Sequence, residues 1–253
     1  MQETDTLFRP PVQVGPFDES ILSLMDTVTC ARLADPAELE AVYRMRHAAY
    51  VRSGMIDVHG GSGGSWSDPY DRSPGCMNMA VYVDGDLAGA IRLHHVTPSN
   101  PDCPSIGHMG DAISGWLDSG LTLVDCSRFA HGSVDRRHRL LPYVTLRIAA
   151  LATLHFRADY SINLVQQRHA AFYERHFHAE RAAVGHTHFN GAEFPVVLLR
   201  SSLRLLASTA PSTRSYLLST RREREALFDD PACPRVRPSA REAISALSRQ
   251  EAA

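Results

Sequence analysis

The sequence predicts an α/β (α+β) domain in which a mixed sheet carries helices on its faces. Two apolar runs, residues 77–83 and 87–96, flank the turn Asp84-Gly85-Asp86, a short-range hairpin signal. Helical patterns begin at Asp35 and at Leu140. Strand-like and helical stretches then follow in the order β, α, two hairpin strands, β, α, β, α, β, which calls for one sheet covered by helices.

Residues 1–26 are mostly polar, with Pro10, Pro11 and Pro16, and read as an N-terminal arm that packs on later parts of the chain. A first strand is expected over 27–33. Asp35, Pro36 and Glu38 then supply an N-cap, a proline at the first helical position and the far member of a capping box. The apolar stripe of that helix runs through Leu39, Val42, Tyr43 and Tyr50, and Arg46 stands where the period asks for an apolar side chain. Arg46 either serves a site or packs its stem on the core and carries its head to water. Residues 59–65, HGGSGGS, are too rich in glycine to hold one conformation and read as a mobile loop or lid. Trp66, Asp68, Tyr70 and Asp71 follow; two carboxylates beside aromatics either read a cationic amine or sit as solvated turn residues. Arg92 lies inside the second hairpin strand between Ile91 and Leu93. It needs a carboxylate partner, for which Asp68, Asp71 and Asp125 are the candidates.

Residues 100–120 read as an irregular connection with a short helix near 112–117. The strand over 122–129 is β-branched and apolar, yet contains Asp125 and Arg128, whose burial is expensive unless they are paired or working. Residues three apart on a regular strand point to opposite faces. A shared role therefore requires a β-bulge between them or partners on two sides; a structural ion pair is the other reading. A basic turn with Gly132, Arg136, Arg137 and Arg139 leads into a helix over 140–156, where Pro142 either starts the helix or kinks it. A strand over 160–165, a short helix over 170–177 (AAFYERHF) and a last apolar strand over 194–199 complete the domain. Residues 27–200 thus form the domain. Residues 201–253, rich in arginine and broken by Pro211, Pro231, Pro234 and Pro238, form a helical or partly disordered extension.

At 253 residues and 44% hydrophobic, the chain can bury a full core. A net charge of −2 excludes a globally basic nucleic-acid binder. All 26 basic residues are arginine, which excludes Schiff-base chemistry, lysine-held pyridoxal phosphate and a phosphate-loop lysine. Five scattered cysteines without a CxxC pair point to reduced thiols, and the absence of a long apolar run to a soluble, cytoplasmic protein without an integral membrane segment. The histidine pairs His94-His95, His176/His178 and His186/His188 match neither HExxH nor a cysteine–histidine motif, so no metal and no bound cofactor are expected.

The order of elements resembles the GNAT acyltransferase fold, and AAFYERHF is similar to a helix motif near its end. Arg46 with Tyr50, Trp66, Asp68 with Asp71, GAIRLHHVTP around Arg92, and DCSRFA with Asp125 and Arg128 resemble the ordered motifs of acyl-homoserine-lactone (autoinducer) synthases. Their relatives, the N-acyl amino acid synthases, carry the same set. Two departures, Asp125 where autoinducer synthases carry Glu and the glycine-rich loop, favour the amino acid branch. The resemblance implies a GNAT-like, mostly antiparallel sheet. It implies an N-acyltransferase that moves a fatty acyl group from an acyl carrier protein thioester to the amine of an amino acid. Asp125, with Arg128 on the same strand, would take the ammonium proton directly or through water. Tyr173 would protonate the leaving thiolate, unless it is a packed core tyrosine. Arg46, Tyr50, Trp66, Asp68, Asp71 and Arg92 would bind substrate: the carboxylates would hold the ammonium or orient Arg92, and an arginine would grip the acceptor carboxylate. GNAT enzymes cradle the coenzyme A pyrophosphate on a glycine-rich turn. The corresponding AHGSVDRRHR has one glycine, and Arg136, Arg137 and Arg139 suit the acidic surface of a carrier protein bearing acyl-phosphopantetheine. The rival readings are an acyl-homoserine-lactone synthase using S-adenosylmethionine and a non-catalytic acyl-carrier-binding module.

Overall fold

The computed structural model describes residues 14–56, 63–132, 139–189, 192–202, 214–230, 233 and 235–251. The hairpin expected around Asp84-Gly85 joins β2 (Cys76–Val83) to β3 (Asp86–Val96). Both turn residues have positive φ, 50° and 95°, the conformation that matches the twist of a two-residue hairpin loop. Around this hairpin lie β1 (Val28–Arg32), β4 (Leu123–His131), β5 (Tyr160–Gln166), β6 (Glu180–Phe189) and β7 (Ala192–Ser201). They form one sheet in the order β1-β2-β3-β4-β5-β7-β6, antiparallel throughout except for the parallel pair β4–β5.

Strand pleating sorts the core into two layers. Ala80, Tyr82 and Ala90 pack with Val42, Tyr43 and Met45 of α2 (Pro36–Arg52). Met79, Val81, Ile91 and Val124 face the other way, onto Leu141, Val144, Ile148 and Leu151 of α4 (Leu141–His155). Farther along the first face, Leu123, Ile162 and Leu198 pack on Ile113 and Leu117 of α3 (Ile106–Asp118). Pro142 sits at the start of α4, where its missing N–H is harmless, and does not kink it. Asp35 caps α2 by accepting from the N–H groups of Ala37 and Glu38. Glu38 does not close the expected capping box; its Oε1 accepts from the Tyr82 hydroxyl at 3.0 Å instead.

Two regions depart from the sequence reading, and the extension is helical as expected. The expected arm contains a helix, α1 (Pro16–Met25), whose Ile21, Leu22 and Met25 are buried in the core. Strand β6 was not expected at all. The extension contributes α6 (Arg221–Phe228) and α7 (Ala240–Glu251), and α6 is tied to the core by charge. Arg147 on α4 forks onto both carboxylate oxygens of Glu223 and donates to the carbonyls of Tyr216 and Leu218, with both side chains buried. The helix α5 (Ala170–Phe177) stands where AAFYERHF predicts it. No helix among the described residues is long and apolar enough to cross a membrane.

Candidate active site

The β4–β5 ladder ends at Cys126–Asn163. Beyond it β4 continues along β3, and β5 along β7, so the two parallel strands part. A cavity of about 780 Å³ opens in this fork, with residues 126–131 of β4 and 163–166 of β5 among its walls. Its apolar part is built from Phe129, Leu164, Val165, Phe172, Tyr173 and Val196, and its polar part from Tyr50, Trp66, Tyr70, Arg92, Ser105 and Arg128.

At the fork β4 bulges. Arg92 faces Ser127 and Ala90 faces Ala130, so Arg128 and Phe129 together oppose Ile91. Arg128 adopts φ 53°, left-handed backbone that a side-chain-bearing residue takes up at a cost of about 1–2 kcal/mol. The side chain offsets that cost. Its Nε donates to Asp68 Oδ2 at 2.8 Å, its Nη2 reaches the same oxygen, and it also bonds Tyr50. The bulge therefore falls at Arg128 and Phe129 rather than between Asp125 and Arg128, and the two residues have separate partners.

Three arginines and two carboxylates interlock at the cavity wall and behind it. Arg92, fully buried, donates from Nη1 to Asp68 Oδ1 at 2.6 Å and from Nε to Ser127 Oγ at 3.0 Å, with Asp71 Oδ1 3.2 Å from Nη1. Arg46, also fully buried, donates to Asp71 Oδ1 at 2.6 Å and to Asn78 Oδ1 at 2.8 Å. The carboxylates are fixed by their own short 3-10 turn, Pro69–Arg72, in which Asp71 Oδ2 accepts from the Asp68 N–H and Asp68 Oδ1 from the Tyr70 N–H. Burial pushes the Asp68 carboxyl up, but hydrogen bonding from Arg92 and the charges of Arg128 and Arg92 outweigh it and hold its pKa at about 2. With three guanidinium groups against two carboxylates, the cluster keeps one positive charge. Arg92 lines the cavity, and its Nη2 is buried without a partner among the described residues.

Several expected roles change with these positions. Tyr50, Trp66, Arg92, Arg128 and Tyr173 do line the cavity. Arg46 and Asp71 lie behind it, buried against each other, and the carboxylate of Asp68 is occupied by Arg92 and Arg128. Asp68 and Asp71 thus take the second role expected of them, orienting Arg92: Asp68 gives its two oxygens to Arg92 and Arg128, and Asp71 gives Oδ1 to Arg46 and Oδ2 to the Asp68 N–H. Asp125 is fully buried and lies outside the cavity wall; its Oδ1 accepts from the Ser105 hydroxyl at 2.8 Å and its Oδ2 from the Ser105 N–H at 3.0 Å. It cannot take a proton directly from a bound amine. Burial pushes the Tyr173 phenol well above its ordinary range, so it stays protonated. His94 and His95 point to opposite faces: His94 packs with Nε2 3.0 Å from Ser73 Oγ, and His95 stacks on Phe156 at 4.4 Å.

Ser105, Ser127, Asn78 and Gln166 were not singled out by the sequence. Ser105 carries the faint signal of a serine just before a helix, yet its hydroxyl makes no cap bond to α3 and turns to Asp125. Arg139 is exposed in the turn before α4, whereas Arg136, Arg137 and residues 59–62 of the glycine-rich loop lie outside the described residues.

Residues 41–202 match the family model described as N-acyl amino acid synthase FeeM. No curated protein matches. Among solved structures, FeeM, an N-acyl amino acid synthase from uncultured soil microbes, is similar at 15% identity and a TM-score of 0.57, over 72% of this chain and 97% of that one. The AHL synthase LasI gives 17% identity and 0.55, over 74% and 96%, and TofI, in a ternary complex with an inhibitor and MTA, 16% and 0.53, over 72% and 95%. At these identities the structures share the GNAT-like fold, while the family model spans this chain's fork, bulge and arginine–carboxylate cluster. The chain belongs to the family of FeeM, the N-acyl amino acid synthases.

Proposed function

We propose that the protein transfers a fatty acyl group from the phosphopantetheine thioester of an acyl carrier protein to the amine of an amino acid. The observation that carries the acceptor is Arg92: a buried guanidinium on the cavity wall, within a cluster of net positive charge, with its Nη2 unpartnered among the described residues. A carboxylate would satisfy that nitrogen and neutralise the cluster, and a free amine without a carboxylate would not. The apolar arm between β4 and β5 accepts the acyl chain.

In this reading the amine attacks the thioester carbonyl, forming the C–N bond as the C–S bond breaks. Backbone N–H groups freed from the ladder by the bulge at Arg128 and Phe129 are suited to the oxyanion. Tyr173 serves the leaving sulfur, since burial keeps its hydroxyl protonated on the cavity wall. Charge in the sequence supports this donor: Arg136, Arg137 and Arg139 form a basic run, and Gly132 is the single glycine where a pyrophosphate cradle would need more.

The test supplies lauroyl-carrier protein or lauroyl-coenzyme A with each proteinogenic amino acid, the matching decarboxylated amines and S-adenosylmethionine, and identifies products by mass spectrometry. The expected result is an N-lauroyl amino acid, formed preferentially from the carrier protein and suppressed by salt or by charge reversal at Arg136 and Arg137. Equal use of the decarboxylated amine would remove the role of Arg92. A lauroyl-homoserine lactone from S-adenosylmethionine would replace the amino acid as acceptor.

A further inference from the structure

Acyl transfer at neutral pH requires that an amino acid, which arrives as an ammonium ion, lose a proton before it can attack. The acidic residue on the central strand is shut away from the cavity, and one side chain stands between them. Ser105 lines the cavity, donates its hydroxyl proton to Asp125 Oδ1 at 2.8 Å, and is pinned by its own backbone N–H to Asp125 Oδ2 at 3.0 Å. The hydroxyl oxygen has two lone pairs, and no described group donates to it. A serine at the start of a helix ordinarily turns its oxygen onto the first-turn N–H groups; this one makes no such bond to α3. It is a hydroxyl with its proton aimed at a carboxylate and its acceptor side unused by the protein.

Building on the acyl-transfer reading above, we propose that Ser105 is a catalytic residue that relays a proton from the acceptor's ammonium group to Asp125. The N–H bond of the ammonium breaks as an O–H bond forms at Ser105 Oγ, while the original Ser105 proton passes to Asp125 Oδ1. This leaves a neutral amine, a neutral serine and a protonated Asp125. The amine then attacks the thioester; its next proton leaves with the sulfur as thiol, and the proton on Asp125 returns through Ser105 to solvent after product release.

The titratable and charged groups facing this path are His94, Arg92, Asp102, Cys103, Cys126 and His108. Across the ladder on β3 stands His94, whose Nε2 lies against Ser73 Oγ and the Tyr70 carbonyl and whose ring is outside the cavity wall. Arg92 lies beyond it on the same strand, and Asp102 near His94 precedes Ser105. The thiols of Cys103 and Cys126 on either side of Asp125 are pushed up by burial, to about 12 for Cys126, and remain protonated. His108 of α3 lines the cavity but bonds Thr187 Oγ1 at 3.1 Å.

The experiment uses the full chain with lauroyl-carrier protein and the best amino acid found in the panel above, comparing Ser105→Ala, Ser105→Thr and Asp125→Asn with wild type. At about pH 7, Ser105→Ala should lower kcat by about 10- to 100-fold with little change in KM, and Ser105→Thr should restore most of it. The deficit should shrink toward unity near pH 10, where the free amine no longer needs a base; a merely structural loss would be the same at both pH values. In mixed H₂O/D₂O, the wild-type rate should curve with deuterium fraction, because two protons move together. A Ser105→Ala rate within about twofold of wild type at pH 7, a deficit independent of pH, or a linear wild-type isotope response would overturn the relay. The last measurement stands even if Ser105→Ala fails to fold. A wild-type protein that acylates no acceptor overturns the acyl-transfer reading and the relay together, whereas full activity in Ser105→Ala overturns the relay alone.

Discussion

Replacing Asp68 by Asn keeps the shape of the side chain and its bond from the Tyr70 N–H but removes the charge that two arginines share. Its pKa of about 2, against an ordinary 3.8, corresponds to about 2 kcal/mol of stabilisation of the folded state. The side chain is only 17% exposed, so solvent screens little of this. The substitution also leaves Arg92 with Asp71 alone as an anion, at 3.2 Å, and Arg128 with none of its carboxylate bonds, which raises the expected cost to about 2–4 kcal/mol. Because the folded pKa is depressed, the contribution is complete above the ordinary value and is lost as pH falls through the folded one. About half should be gone by pH 3. Denaturant unfolding of both proteins from neutral pH to pH 2.5 measures the difference directly. A difference below about 0.5 kcal/mol at neutral pH, or one that does not shrink on acidification below pH 4, would refute the account of the cluster.

Three further outcomes follow from packing and charge elsewhere. Arg147→Met alone should destabilise the protein by about 3–5 kcal/mol, since it strands a buried Glu223, while Arg147→Met with Glu223→Leu should recover much of the loss; chemical denaturation distinguishes them. Gly89→Ala should cost about 1–3 kcal/mol, because a Cβ there would stand 2.9 Å from His131 Cδ2 and 3.0 Å from Thr145 Oγ1, and a lower melting temperature would report it. Cys30 and Cys126, both pushed to about 12 by burial, should resist an aromatic disulfide reagent in the native protein at pH 8 and react only on unfolding. Rapid labelling of either thiol in the folded state would contradict its placement.

The hairpin, the capped start of α2 and the core strands were legible because each rests on local rules: turn glycines, cap side chains and alternating burial. Strand β6 was not legible, since it is the sheet's edge and lacks that alternation; its Val184 is 73% exposed, as an inward-facing strand residue would not be. Helix α1 carried Pro16 at its first turn with Asp18 and Glu19 behind it, a start signal that the neighbouring prolines obscured. The hold of α6 on α4 depends on Arg147 meeting a residue 76 positions away, and no local pattern announces such a pair.

The same limit divides the site. A charge at an apolar position must be compensated, so Arg46, Arg92, Asp125 and Arg128 stand out in the sequence whatever they do. Whether each faces the cavity or backs it is decided by distant chain. Arg92 and Ser127 are cross-strand partners, as are His94 and Asp125, and pleating puts all four on one face of the sheet. Only the first pair borders the cavity, because the segment carrying Cys103 and Ser105 closes over the second. One pleat repeat, about 7 Å, thus separates an arginine on the cavity wall from a carboxylate sealed beneath a loop. Sealing it removes Asp125 from direct contact and at the same time puts Ser105 in the gap, so the residue that hides the carboxylate is also the one through which it can act.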